Sequence, residues 1–489
     1  MSPYTFSVIE AVALIVGFSL AMLLLVSQWV QHRNSIELFF VANREVGLLI
    51  GSLSVAAAWI WAPALFVSSQ KGYQQGIPGV FWFTFPNALA LILFAFLARR
   101  IRKVMDQGYT LPEFIRQRLG VRSHVLHIVA IFVVQTYAVI VQLTGSLLLL
   151  NLLTGISKTT LILIIATLFL ALAGLHGIRT SILIDVIKAV MIAVVSIVII
   201  PWTISRAGGI TSVINGLGGS QGTYTNLFDP TVAWTFGVPI SISLLSGIAI
   251  DQQQWQRAFS IRRQRVRLVF IIGGIIFAFV PASLALLGFI AANPAMGISV
   301  QSTQLSGVAA VAHFLPKVGV MIFTIMVLAG LTSAGSAALC AVSSIGGIDI
   351  YRQYLNRNAT DQQIISASRA IMFGVLFIAM VISLLPNVQI LYIQLLVGSF
   401  RAALLVPTIL ALFWRRLSGR AAFYGMLTGI VVGVPLFVYG TLVNNATISS
   451  LGSLLPIFIS TLICLIGSYL SQDKFDFNKL SHSYKAIGD

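Results

Sequence analysis

The chain has 489 residues, of which 58% are hydrophobic and 9% charged, and its formal net charge is +17. This composition is typical of an integral membrane protein, because a bilayer core about 30 Å thick needs roughly 20 apolar residues per spanning helix. The positive charge does not indicate a nucleic-acid partner, since all but six of the 30 lysines and arginines fall on one predicted side of the membrane.

Apolar stretches of spanning length recur along the chain and predict an all-α polytopic membrane protein with about 13 transmembrane helices. The loop charges place the N-terminus outside a plasma (inner) membrane and the tail, 471–489, in the cytoplasm. The predicted helices cover approximately residues 5–30, 46–70, 77–98, 123–153, 159–176, 180–202, 230–250, 266–291, 317–347, 365–386, 388–413, 420–441 and 452–470. The six remaining basic residues are Lys71, Lys158, Arg206 and Lys317 outside, and Lys188 and Arg401 inside helices.

The middle ten helices divide into two halves of five, 46–202 and 230–413. The first helix, 5–30, and the last two, in 420–470, stand apart from this division. Because five is an odd number, the second half enters the membrane in the opposite orientation, as inverted-repeat transporters require. The sequence therefore predicts one transporter domain built from a 5+5 inverted repeat.

The first helix of each half contains a proline within its apolar run, Pro63 in one and Pro239 in the other. Proline removes a backbone donor and disturbs the preceding turn, so both helices are expected to be kinked or locally unwound. Matching interruptions indicate a binding site near the midplane of the membrane. The tryptophans beside the first break either line that site or only pack against neighbouring helices. The candidate substrate-binding residues are Trp59, Trp61, Ala62 and Ser241.

Two charged residues, Asp185 and Lys188, lie three positions apart on one face of the predicted helix 180–202. They form either a local ion pair near the cytoplasmic helix end, where snorkelling reduces its cost, or part of an ion pathway. Arg401 is isolated near the middle of its helix, so it must face a partner or a wet cavity, which the sequence does not name.

Hydroxyl side chains are concentrated in the predicted helix 317–347, in the run from Thr332 to Ser336. Small residues of this kind favour close helix packing, and hydroxyls beside an unwound helix also supply oxygen ligands for sodium. The sequence lacks a nucleotide-binding loop, a zinc-protease motif and a nucleophile elbow, and Cys340 and Cys464 have no metal-type spacing. We therefore expect neither an enzyme nor an organic cofactor, and no obligate protein partner is indicated.

Three segments resemble the sodium:solute symporter family over about residues 36–470, and three shorter motifs resemble its urea and polyamine transporter branch. The family segments are Thr332 to Ile345 with Asp349-Ile350-Tyr351, Asp251-Gln252 with Trp255-Gln256-Arg257-Ala258, and Gly177-Ile178-Arg179 with Asp185-Val186. The branch motifs are Trp59-x-Trp61-Ala62, Gln70-x-Gly72-Tyr73 and Gly79-Val80-Phe81-Trp82. The resemblance implies a LeuT-like fold and alternating access.

The family's second sodium site uses backbone oxygens of its first core helix and two adjacent hydroxyl residues of its eighth. By resemblance these positions are Val55 and Ala58 for the backbone, and Ser333 and Ala334 for the hydroxyls. Ala334 lacks the oxygen, so the resemblance implies a weakened site. Asp185 matches an acidic residue near the family's sodium exit path, whereas Lys188 stands where a neutral polar residue is usual.

The sequence thus predicts an ion-coupled symporter for a small polar solute, urea-like by resemblance, with the lipid bilayer as its surroundings. Sodium is the expected coupling ion. A proton is the alternative, in a sodium-independent carrier where the Lys188 ammonium replaces the metal ion. A passive solute channel is the competing class, and matched helix breaks favour alternating access over it. Neither the solute nor the oligomeric state follows from the sequence.

Overall fold

The computed structural model describes residues 6–27, 35–174, 177–386, 388–471 and 474–482. Over these residues the protein is helical, with one isolated β-bridge between Val46 and Ile261. The helices are α1 Val8–Ser27, α2 Ile36–Val41, α3 Leu48–Trp59, α4 Ala62–Val104, α5 Leu111–Leu119, α6 Val121–Thr154, α7 Lys158–Gly174, α8 Gly177–Arg206, α9 Ile210–Ile214, α10 Pro230–Val232, α11 Val238–Ile250, α12 Gln252–Ser260, α13 Val266–Ala292, α14 Ser306–Phe314, α15 Lys317–Ser344, α16 Asp361–Ser383, α17 Ile390–Phe413, α18 Gly419–Leu442, α19 Ala446–Ser471 and α20 Asn478–His482.

Ten helical segments of the described chain are long and apolar enough to cross a membrane. Three shorter apolar helices accompany them, at Ile9–Leu24, Leu48–Trp59 and Lys158–Ala173. Large apolar side chains such as Phe377 and Phe458 remain exposed on the outer faces, as expected of surfaces that contact lipid tails. The all-α, multi-pass architecture is therefore confirmed, while thirteen crossings and the repeat boundaries stay predictions.

The helix predicted over residues 46–70 is interrupted just before Pro63, between Trp59 and Ala62. Helix α3 ends at Trp59, the backbone is non-helical at Ile60 (φ −77°, ψ 81°) and Trp61, and α4 begins at Ala62. Pro63 lies in the first turn of α4, where its missing amide hydrogen costs no helical hydrogen bond. The chain therefore breaks before the proline, which then starts the next helical segment.

Helix α4 changes direction at Gly76, whose backbone has a φ of +55°. A side chain there would come within 2.3 Å of the Leu217 carbonyl oxygen, so only glycine fits this turn. The turn divides α4 into an arm of residues 62–75 and a returning arm of residues 77–104. These arms correspond to the end of one predicted helix and to the predicted helix 77–98.

The leading helix of the second half does not unwind at Pro239 as expected. The chain makes one π-helical turn at Ala233–Gly237 and continues as α11, with Pro239 in its first turn. The interruption comes at Asp251, an extended residue (φ −85°, ψ 108°) between α11 and α12. A π turn relieves the clash that proline makes with the preceding turn, so the helix persists through Pro239.

The interior of the molecule is formed mainly by α15, α6 and α11, which lie in the membrane-length segments with the largest buried shares. Helix α13 packs along α4, and α18 pairs with α19 at the periphery. One end of the molecule, which we call the basic surface, carries Arg99, Lys103, Arg263 and Arg267 around a shared depression. The first arm of α4 runs away from this end and the second arm returns to it, so Gly76 lies at the opposite end.

The short helix α5 holds a carboxyl group, Glu113, whose pKa rises to about 7 through burial and the nearby Asp349 carboxylate. The Tyr109 amide donates a hydrogen bond to Glu113 Oε2 at 2.9 Å. A carboxyl with a raised folded-state pKa contributes stability at low pH that is lost as the pH rises through the folded pKa. We expect the melting temperature of the wild type to fall more between about pH 5 and about pH 8 than that of Glu113→Gln. Parallel pH profiles for the two proteins would contradict this.

Candidate functional site

The break between α3 and α4 exposes backbone groups that side chains of other helices satisfy. The Ala62 amide donates to Gln142 Oε1 of α6 at 2.9 Å. The Trp61 indole donates to the Ala58 carbonyl oxygen at 2.7 Å, bridging the gap from the other side. The break is thus a built feature, since its freed polar groups have partners within the protein.

A small cavity lies directly beside this break. Its volume is about 20 Å³ for water-sized molecules, which is room for about one water. Helices α4, α6, α11 and α17 all contribute to its wall, so it lies where the two predicted halves meet. The lining residues are Trp59, Trp61, Pro63, Ala64, Asn87, Tyr137, Ser243, Leu244, Gly247, Gln394 and Arg401.

Three aromatic rings form one wall of the cavity. The ring centre of Trp61 lies 5.6 Å from that of Trp59 and 5.9 Å from that of Tyr137, each pair tilted by 52°. The Trp59 indole donates to Asn87 Oδ1 at 2.7 Å, which fixes the ring against the second arm of α4. A rigid aromatic wall of this kind suits a flat solute more than a bulky one.

Arg401 supplies the charge of the cavity. Its Nη2 donates to the Ser243 carbonyl oxygen at 3.0 Å and to the Ser243 hydroxyl at 2.9 Å, and its guanidinium lies 5.7 Å from the Tyr137 ring centre. Within the described chain, Arg401 Nε and Gln394 Oε1 are buried and have no hydrogen-bond partner. The residues lining the cavity therefore include a buried N–H donor and a buried acceptor without partners, both on α17 and seven residues apart, which places the two residues on one face.

A buried ion pair lies between the cavity and the basic surface. Arg257 of α12 donates through Nη2 to Asp185 Oδ2 at 2.6 Å, and both side chains are about 1% exposed. The Ser54 hydroxyl donates to the same oxygen at 2.8 Å, and the Ser333 hydroxyl donates to Asp185 Oδ1. Asp185 thus joins α3, α8, α12 and α15 through one carboxylate.

The local pair of Asp185 with Lys188 considered from the sequence is not what the structure shows, because Arg257 takes that place. Lys188 does not snorkel to the surface either. It is fully buried, and its Nζ has no hydrogen-bond partner among the described residues. An ammonium group in this position is strongly desolvated, and its charge is balanced only by the carboxylate one turn away.

Lys188 lies at the level where the resemblance expects sodium. Asp185 of α8 contacts Ser54 of α3 and Ser333 of α15. Two turns further along the same face of α8, Ile192 lies beside Gly330 of α15, and Ile60 lies beside the same glycine. Lys188 comes between these two levels on α8, just as Val55 and Ala58 come between Ser54 and Ile60 on α3. Lys188 is therefore level with Val55 and Ala58, while Ser333 is level with Asp185 and Ala334 lies one residue further along α15.

These four residues fit a sodium ion poorly. Ala334 contributes no side-chain oxygen, so among the side chains only the Ser333 hydroxyl, which donates to Asp185, offers its oxygen to a cation. The buried Lys188, one turn from Asp185, adds a positive charge, which repels a metal cation. The donor set is thus one hydroxyl short and electrostatically unfavourable for sodium.

The structure places two of the four predicted substrate residues, Trp59 and Trp61, in the cavity wall. Ala62 lies at the break itself, but its amide is occupied by Gln142. Ser241 does not line the cavity: its hydroxyl donates to the Gly237 carbonyl oxygen, and Ser243, two residues later, lines the cavity instead. Sequence reasoning missed Asn87, Gln394 and Tyr137, although a lone amide in an apolar helix is a signal that points to function.

Comparison with known proteins identifies relatives that match most of this chain. The chain is 24% identical over 457 residues to the urea-proton symporter DUR3 of Oryza sativa, covering 86% of this chain and 63% of the rice protein. It is 24% identical over 511 residues to probable urea active transporter 1 of Schizosaccharomyces pombe, covering 95% of this chain and 76% of the yeast protein. The chain thus spans somewhat less than two thirds of the rice relative's length.

The fold matches that of a Na⁺-coupled sialic acid symporter in a substrate-bound, outward-open state. The TM-score is 0.79 at 17% sequence identity, and the match covers 95% of this chain and 98% of that one. The expected LeuT-like fold is therefore confirmed. The model of the sodium:solute symporter family matches residues 39–429, which is most of the chain. The protein belongs to the sodium:solute symporter family.

Proposed function

We propose that this protein is an ion-coupled symporter that carries a small neutral amide, such as urea, by alternating access. The observation that carries the proposal is the pair of unpartnered polar atoms in the cavity, Arg401 Nε and Gln394 Oε1. The rice and yeast relatives are named as urea transporters, which supports the same solute class.

The cavity chemistry matches a flat amide. A carbonyl oxygen accepts from the Arg401 Nε–H, and an amide N–H donates to Gln394 Oε1, so both orphan atoms gain partners. The rings of Trp59 and Trp61, which belong to one wall, provide an aromatic surface for one face of such a planar solute. A polyamine is disfavoured because it would place further positive charge beside Arg401, whereas a small carboxylate remains the competing ligand.

Room for about one water means that the walls must part to admit urea. This requirement favours a carrier over a passive channel, because the solute enters such a cavity only when its walls move. Uptake against a concentration gradient is the observation that separates the two classes. We place the basic surface on the cytoplasmic side of the plasma membrane, because lysine and arginine are enriched in the cytoplasmic loops and helix ends of membrane proteins.

We further propose that the coupling ion is a proton and that the Lys188 ammonium stands in place of sodium. The missing oxygen at Ala334 and the buried lysine at the level of Val55 and Ala58 support this choice over sodium. The name of the rice relative, a urea-proton symporter, agrees with it. A lysine amine can release and regain a proton, so the site can cycle between charged and neutral forms.

The test is uptake of labelled urea into proteoliposomes under separate proton and sodium gradients. We expect a proton gradient alone to drive concentrative uptake by the wild type, and Lys188→Met to lose that dependence. Lys158→Met, which removes an exposed lysine at the start of α7, is the matched control and should behave like the wild type. If a sodium gradient alone drives wild-type uptake, the coupling proposal is wrong. If labelled acetate but not urea accumulates, the solute assignment is wrong.

A further inference from the structure

Lys71 was expected in an outer loop, yet it lies buried within the first arm of α4. Its side chain is 7% exposed, and its Nζ lies 4.2 Å from the centre of the Phe236 ring. No ion pair to Lys71 is found among the described residues. The aromatic ring is therefore one group that stabilises this largely buried cation.

The contact lies directly above the cavity, on two of the helices that form it. Lys71 is seven residues beyond Ala64 on α4, and Phe236 is seven residues before Ser243 in the run that leads into α11. Seven residues make about two helical turns, so each member lies on the cavity-facing side of its helix, roughly 10 Å further out. Because both residues are seven positions from a cavity-lining residue, they lie at the same distance from the cavity along their helices.

The direction from the cavity to this pair leads away from the basic surface. The first arm of α4 runs from the break at Trp61 toward Gly76, and the returning arm then ends beside Arg99 and Lys103. The Lys71–Phe236 contact thus bridges the two helices on the route from the cavity to the end of the molecule opposite the basic surface.

We propose that Lys71 and Phe236 form a gate that closes the cavity on this side. The assignment rests on the proposed function, which makes the cavity the substrate site. Phe236 belongs to the π turn at Ala233–Gly237, an irregular segment that can change its helical phase more easily than a regular helix. When that turn moves, the cation loses its ring and gains water, so opening exchanges one favourable environment for another instead of leaving a buried charge bare.

The test is the rate at which a membrane-impermeant thiol reagent modifies Ala64→Cys, which needs no knowledge of the solute. The two native cysteines, Cys340 and Cys464, are buried and provide the background rate in the protein without the added cysteine. Loss of a desolvated cation–π contact is expected to shift the gate toward its open form by about tenfold. Ala64→Cys combined with Phe236→Leu, which leaves the cation without its ring in the closed state, should therefore be modified about tenfold faster than Ala64→Cys alone.

Further variants distinguish the effect of losing the cation–π contact from the effect of disturbed side-chain packing. Phe236→Tyr keeps a ring and should leave the rate of Ala64→Cys unchanged, while Lys71→Met added to Phe236→Leu removes the bare cation and should slow modification again. Reagent applied to intact cells should show the effect if the gate faces outward. Unchanged modification in Phe236→Leu, or acceleration seen only after cells are permeabilised, overturns the gate. Faster modification of the native cysteines in the variants would reveal unfolding, and it would also overturn the gate. If urea uptake fails while the modification rates behave as expected, the proposed function is wrong and the gate stands.

Discussion

Replacing Asp185 by asparagine is expected to be among the most damaging single substitutions in this protein. The change leaves the Arg257 guanidinium and the Lys188 ammonium buried without a carboxylate. Removing one partner of a buried ion pair costs about 3–5 kcal/mol, because the remaining charge stays desolvated. The apparent melting temperature of Asp185→Asn in detergent should therefore fall well below that of the wild type, with less monodisperse protein after solubilisation.

Second-site substitutions make this expectation specific to the charges. Arg257→Met added to Asp185→Asn removes one uncompensated cation, so the double variant should melt at a higher temperature than Asp185→Asn alone. Lys188→Met added to Asp185→Asn should act in the same direction. A double variant that melts below Asp185→Asn in both cases would show that lost packing dominates over lost charge balance.

Arg401→Met is expected to reduce kcat/KM for urea uptake between about tenfold and about hundredfold. A hydrogen bond to a charged group contributes about 1.5–3 kcal/mol, and the guanidinium Nε is the free donor proposed to hold the solute carbonyl. The measurement is the concentration dependence of urea uptake into proteoliposomes. Arg401→Lys, which keeps the charge but not the planar fork, should recover only part of the loss.

Ser243→Ala provides the matched control for this prediction. It removes the hydroxyl that positions Arg401 but leaves the Ser243 carbonyl contact at 3.0 Å, so its loss should be smaller than that of Arg401→Met. Gln394→Met should impair urea more than a solute without an N–H group, because only the former uses the Gln394 oxygen. Wild-type urea uptake by Arg401→Met would exclude the guanidinium as the carbonyl donor.

The positions of the first helix break and of the aromatic wall could be predicted from local sequence. Trp59, Trp61 and Pro63 lie in one short segment, and proline next to bulky aromatic residues acts on the backbone at that point. The second break could not be located in this way. Pro239 is tolerated behind a π turn, and the helix ends instead at Asp251, where Gln135 of α6 donates to its carboxylate at 2.8 Å.

The partners of the buried charged residues could not be predicted from nearby sequence either, because they lie far away along the chain. Asp185 and Lys188 are one turn apart in sequence, which favours pairing them. The structure instead brings Arg257 to Asp185 from 72 residues away, because α12 enters the same buried layer as α8. Arg401 likewise meets Ser243 of α11, 158 residues earlier in the chain.

By itself, the sequence determined the class of protein and the apolar helices, because both follow from the composition of segments about 20 residues long. The sidedness of the basic residues stays a prediction from the sequence. Only the tertiary structure decided which lone polar side chains face one another. Burial of a charge in an apolar interior is tolerable only beside a partner, and that partner is supplied by whichever helix packs at the same depth. Lys71 illustrates the point, since an aromatic ring on a distant segment, and no residue near it in sequence, keeps it inside the protein.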